Sequence, residues 1–136
     1  MDMAVLTGTA WLGVLVAAVL PFVLGALWYG PLFGRVWMAA SGVSPAQIRE
    51  AGMARVFALA FLLELIQAIL LRLLLGEDAG LRDGVTTGLM VGVGWVATAI
   101  GVFHLFEHRP TAHLLVNAGY AVVSFVIMGA VLGAWF

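Results

Sequence analysis

An all-α integral membrane four-helix bundle, with a short interfacial helix between spans one and two, is the fold that this sequence predicts. Two observations carry it. Of 136 residues, 64% are hydrophobic and only 10% are charged, against roughly 45–50% apolar and about 25% charged in soluble domains. The solvent for so much apolar surface has to be lipid. The apolar residues also fall into four stretches, each close to the ~20 residues that cross a hydrocarbon core as a helix. The whole chain, 1–136, reads as one transmembrane domain.

The first span is expected over about 9–29, where Gly30-Pro31 ends it, because proline lacks a donor and constrains its neighbour. Pro21 falls inside this span and should kink it. Ser44-Pro45-Ala46-Gln47 reads as a capping box with proline at the first helical position, so a short interfacial helix starts at Pro45 and runs into the second span or bends at Gly52. The second span is expected over 55–75, and a short acidic loop, 76–83, follows it. The third span covers about 84–103 with no charge inside. Pro110 opens the fourth, over 111–136. The chain start lacks the basic region and short apolar core of a cleaved signal peptide, so the first span is expected to stay in the protein.

Trp28, Tyr29 and Trp37 mark one membrane interface, and Trp11 and Trp135 the other. Trp95 falls mid-span and must pack on protein or lipid chains. Arg35, Arg49, Arg55 and Arg109 share one side, while Arg72 and Arg82 lie on the other beside Glu77, Asp78 and Asp83. Basic loops stay cytoplasmic, so a multi-pass protein of the cell membrane with both termini periplasmic or extracellular is expected. Gly84, Gly88 and Gly92, with Gly129 and Gly133, have the four-residue spacing that lets helices approach in lipid, within one chain or between copies.

Composition also excludes functions. Without cysteine there are no disulfides and no thiolate metal sites. A net charge of −1 and no basic run leave nucleic acid binding without an electrostatic basis. No phosphate loop, dinucleotide fingerprint or Ser/His/Asp set appears, so no cofactor is implied and an enzyme is the weaker class. His104-Leu105-Phe106-Glu107-His108 fits an H-x-x-E-H metallopeptidase pattern. It has no acidic third ligand after it, and Pro110 leaves little helix to hold it. No metal is expected there.

The polar groups inside the spans are few, and each counts. Glu64 lies near the middle of the second span, with Gln67 one turn on. His113, Asn117, Tyr120 and Ser124 make one stripe on the fourth. Helix rise puts Glu64 and Asn117 at matched depth. Glu64 should therefore be neutral or paired. A single cluster of Glu64, Asn117 and Tyr120 between spans two and four is expected, reached from the cytoplasmic side past His113. Such a cluster either handles protons or cations or simply ties the bundle together.

Gly25-Ala26-Leu27-Trp28-Tyr29-Gly30-Pro31-Leu32-Phe33-Gly34 with Trp37, then Leu105-Phe106-Glu107 with Arg109-Pro110, then Asn117-Ala118-Gly119-Tyr120, and the ending Met128-Gly129-Ala130 through Gly133 and Trp135, form a set of motifs. The set resembles that of the small bacterial and fungal membrane proteins grouped as domain of unknown function 1761. The resemblance implies a multi-span protein without an assigned activity, and carries over no catalytic residue. It singles out Trp28, Tyr29, Pro31, Gly34, Glu107, Arg109, Asn117 and Tyr120. Three functions compete. The first is a small transporter or channel, working as a homo-oligomer on an unknown ion or small molecule. The second is an accessory or scaffold protein that binds a membrane partner or lipid. The third is a small membrane enzyme, which would need more charge inside the bundle.

Overall fold

The computed structural model describes residues 3–8 and 10–135; Asp2 and the expected span ends at Thr9 and Phe136 lie outside the described residues. The architecture is all-helical. After a 3-10 turn at Met3–Leu6 come α1 (Ala10–Leu27), α2 (Gly34–Ser41), α3 (Pro45–Glu50), α4 (Met53–Leu75), α5 (Leu81–Val91), α6 (Thr98–Glu107) and α7 (Thr111–Trp135). Wide π-type turns at Trp28–Leu32 and Gly92–Ala97 extend α1 and join α5 to α6. Four helical stretches are long and apolar enough to cross a membrane: Ala10–Leu32, Met53–Leu75, Leu81–Glu107 and Thr111–Trp135.

Local chemistry explains the joints. α1 runs on through Pro21, and it is at Gly30 that the backbone leaves helical geometry (φ −102°, ψ −106°). Pro31 follows, and the Phe33 amide closes the wide turn on Trp28 O at 2.8 Å. Ser44 and Gln47 cap α3 reciprocally, and Gly52, at φ +80°, turns the chain into α4. The third span is a full turn longer at the end that carries Glu107 than its uncharged core suggested, because a carboxylate at an interface costs little. The helix at Gly34–Ser41 was not anticipated; Gly42 terminates it in the left-handed region, with its amide on Met38 O.

The tight core lies toward one end. Val14, Ala17 and Ala18 of α1, Ala68 and Leu71 of α4, and Phe125, Met128 and Leu132 of α7 meet near the acidic 76–83 loop. At the same end α5 lies backbone-to-backbone on α7: a Cβ on Gly84 would strike Gly129 O, and one on Gly88 would strike Phe125 O. The glycine stripes are therefore used inside the chain. Arg72, grouped above with Arg82 by membrane side, is buried. It donates to Gly76 O (2.6 Å) and Val5 O (3.4 Å), fastening the N-terminal turn to the end of α4. Trp95 is 62% exposed and faces outward from the third span.

Toward the arginine-rich end the third span loosens. Phe103, Leu105 and Phe106 are exposed, and only 6% of the span's most apolar stretch is buried. The polar stripe of α7 faces this looser half.

Candidate functional site

The polar groups of three spans converge at Tyr120. Its ring packs near Trp28 and Tyr29, with centroids 6.4 and 5.3 Å away. Its hydroxyl oxygen lies 2.9 Å from Pro21 O on α1 and 2.6 Å from Glu64 Oε1 on α4. Gly25 makes this approach possible, since a Cβ there would sit 3.2 Å from the hydroxyl.

Counting protons couples the Tyr120 hydroxyl to the protonation state of Glu64. A tyrosine hydroxyl carries one proton and a backbone carbonyl can only accept. The hydroxyl therefore serves one acceptor at a time: Glu64 Oε1 when the carboxyl is ionised, or Pro21 O when the carboxyl is neutral and Oε1 supplies the second proton. An isolated buried carboxylate in hydrocarbon is very costly, which favours the neutral arrangement.

Glu64 Oε2 and Ser124 Oγ are buried and have no hydrogen-bond partner among the described residues. Both residues line a cavity of about 280 Å³ between α4, the third span and α7, which Gln67, Tyr29, Asn117 and Tyr120 also line. Its other walls are Val96, Ile100, Ala121 and Phe125. A second cavity of about 210 Å³ lies toward the arginine-rich end, lined by Phe103, His104, Glu107 and His113, and it shares Ile100 and Asn117 with the first.

Asn117 is not part of the Glu64 bond network that matched depth suggested. Its carboxamide turns toward α1 instead. Tyr29 donates to Asn117 Oδ1 at 2.7 Å, and Asn117 Nδ2 lies 3.4 Å from His113 Nε2. With the Asn117 oxygen taken by Tyr29, its nitrogen is left to donate to His113 Nε2 when that ring is neutral. Two short chains result, His113–Asn117–Tyr29 and Glu64–Tyr120–Pro21, facing one cavity.

Trp28 and Tyr29 are more than interfacial anchors. Trp28 Nε1 donates to Val116 O at 2.9 Å, and its ring lies where a side chain on Gly119 would be, 3.1 Å from the ideal Cβ. Sequence reasoning missed this pairing, although a signal was present: each of the two motifs sets a glycine near a large aromatic residue, and each glycine receives the other motif's ring. Pro31 serves the wide turn after Tyr29. Gly34 serves it too, since its ideal Cβ would sit 2.5 Å from Tyr29 O.

The Glu107 and Arg109 motif closes the arginine-rich end. Arg109 Nε pairs with Glu107 Oε2 at 3.2 Å, and its Nη1 donates to Ser41 O at 2.7 Å, linking the turn after α6 to the end of α2. Both side chains are nearly half exposed, so the pair contributes registry more than stability. His108 caps α6 in the left-handed region (φ +54°), while His104 Nδ1 is buried without a hydrogen-bond partner among the described residues, beside the second cavity.

No curated protein and no solved structure matches this chain. A family model described as "Protein of unknown function (DUF1761)" matches residues 12–133, nearly the whole bundle with all of the motifs above except the final Trp135, and the chain belongs to that family.

Proposed function

We propose that this protein is a small transporter or channel in which Glu64 is the exchangeable carboxyl, working on protons or small cations as a homo-oligomer. The observation that carries this reading is a buried carboxyl with one oxygen unpartnered among the described residues, on the wall of a cavity. A carboxyl that served only as a tie would be satisfied at both oxygens, since an unmade bond in lipid is costly. The second cavity, with His104, Glu107 and His113, supplies an approach from the arginine-rich end, and Asn117 separates the two. The sparsely packed third span supports a neighbouring copy there, which would close the pathway against lipid.

Exposed Arg35, Arg49, Arg55 and Arg109 stand at that end against exposed Arg82 at the other. The approach is therefore cytoplasmic and both termini are outside. The chain has no cysteine, so single cysteines report topology on a clean background. Asp78→Cys should react with an impermeant maleimide added to intact cells, and Ala46→Cys should not. The reverse pattern rejects the orientation.

Reconstituted in liposomes with an internal pH dye, the wild-type protein should pass protons or exchange them for cations, and Glu64→Gln should fall to the rate of empty liposomes. The melting temperature of Glu64→Gln should stay close to that of the wild type, because Gln keeps a donor and an acceptor for Tyr120. Equal flux in wild type and variant removes the reading.

One observation favours a second reading, a non-transporting accessory protein: Tyr120 ties α1, α4 and α7 together through Pro21 and Glu64. In that case Glu64→Gln is nearly silent in every assay.

A further inference from the structure

We infer that the Glu64 cavity binds a small organic ammonium ion, a primary amine carried on one ring or a short apolar chain, in exchange for the proton of Glu64. The inference rests on the proposed exchangeable carboxyl and names what it exchanges for.

Charge comes first. Among the described residues, Glu64 is the only one on the cavity wall that can carry a charge at neutral pH; Tyr29 from the wide turn after α1 and Tyr120 from α7 are the other titratable side chains, the third span adds only Val96 and Ile100, and no arginine or histidine lines it. An anion finds no counter-charge there, and a neutral ligand gains nothing from the carboxyl. A cation makes the site neutral once the proton has left, so proton and cation are mutually exclusive occupants.

Hydrogen bonding comes second. Glu64 Oε2 is a buried acceptor without a partner among the described residues, and Ser124, 2% exposed, brings a second buried oxygen to the same cavity. An ammonium group has three donors to offer such acceptors. Tyr120 completes the exchange. When Oε1 loses its proton, the Tyr120 hydroxyl turns from Pro21 O, 2.9 Å away, to Glu64 Oε1 at 2.6 Å, so the carboxylate gains a donor as the ammonium arrives. The step balances: neutral Glu64 plus R–NH3+ gives the Glu64 carboxylate paired with R–NH3+, and one H+ passes to water.

Shape comes third. Tyr29, Tyr120 and Phe125 place three aromatic rings on the wall, suited to a cation and to the apolar body behind it. About 280 Å³ is at the small end of ligand pockets, which run roughly 300–1,000 Å³, so a single ring fits and a drug-sized molecule does not.

The test uses purified protein in nanodiscs near pH 7 and titration calorimetry in two buffers of different ionisation heat. The probe is 2-phenylethylammonium, and 2-phenylethanol and 3-phenylpropanoate are its neutral and anionic counterparts. The cation should bind saturably and release about one proton per ligand, with both counterparts at least about 100-fold weaker. Glu64→Gln should weaken the cation by a similar factor and remove the proton release, and Ser124→Ala should weaken it by about 5- to 10-fold. Proton release from the wild type reads the exchange even if a variant fails to fold. No saturable binding, equal binding of the alcohol, or binding without proton release overturns the inference. If the amine does not bind but Glu64-dependent proton flux persists, the ligand class is wrong and the transport reading stands. If the amine binds with proton release and no flux follows, the site is as inferred and the transport reading fails.

Discussion

Gly129→Ala should destabilise the bundle by about 3 kcal/mol or more, while the same change at Gly101 should stabilise it by up to about 1 kcal/mol. Both glycines are helical, so the intrinsic preference for alanine is the same in each. The surroundings differ. A Cβ on Gly129 would strike Gly84 O, with Gly84 C at 2.8 Å and Gly88 Cα at 3.3 Å. All of these are backbone atoms of α5, and none can rotate away. A Cβ on Gly101 meets nothing within 4 Å. Because lipid tails are as apolar as side chains, helix association in a bilayer depends on close van der Waals contact rather than on burial. Pushing α5 from α7 by the width of a methyl group therefore removes much of what holds the two together. Thermal unfolding of the two variants in detergent, followed by far-UV circular dichroism, reads the difference in sign. A Gly129→Ala protein that melts with the wild type would mean that α5 and α7 do not pack as described.

The glycine stripe also shows where sequence reading stops. Four-residue spacing of Gly84, Gly88, Gly129 and Gly133 says that two helices each have a smooth face. It does not say which face lies on which, so packing within the chain and packing between copies stayed open until the backbones were seen together. The four spans were legible because length and hydropathy depend on composition alone, and the α3 cap because its four residues satisfy each other locally. The α7 stripe of His113, Asn117, Tyr120 and Ser124 was legible for the same reason: helical period sets one face. Its partners were not. Asn117 and Glu64 line one cavity, yet Asn117 bonds Tyr29 of the wide turn after α1, and α1 has no polar period from which its facing could be read. The sequence marks Pro21 as a kink in the first span, and nothing in it says that the Pro21 carbonyl lies within hydrogen-bonding reach of Tyr120. Arg72 can be placed by side in the Arg count because the sequence shows an arginine near a helix end, but not that its guanidinium reaches Gly76 O and Val5 O.

Tyr120→Phe should separate the tie from the exchange. The ring stays, with its neighbours Trp28 and Tyr29, and a single oxygen is lost. That oxygen is the only hydrogen-bond partner of Glu64 among the described residues, so both carboxyl oxygens become orphans, at a cost of about 1–3 kcal/mol in thermal stability. The ionised form suffers more than the neutral one, because hydrogen bonds to charged groups contribute about 1.5–3 kcal/mol. Any function that requires Glu64 to release its proton should therefore slow by about 10- to 100-fold. Tyr29→Phe is the matched control: it removes a hydroxyl from the same cavity but leaves Glu64 bonded, so flux should change far less. The pair Tyr120→Phe and Glu64→Leu closes a double-mutant cycle. Tyr120→Phe should cost much less stability in the Glu64→Leu background than in the wild type, since leucine offers the hydroxyl no partner and the bond is already gone. Stability changes that add to within about 0.3–0.5 kcal/mol would show the two residues to be energetically independent, and the bond at the centre of the site would then carry neither structure nor exchange.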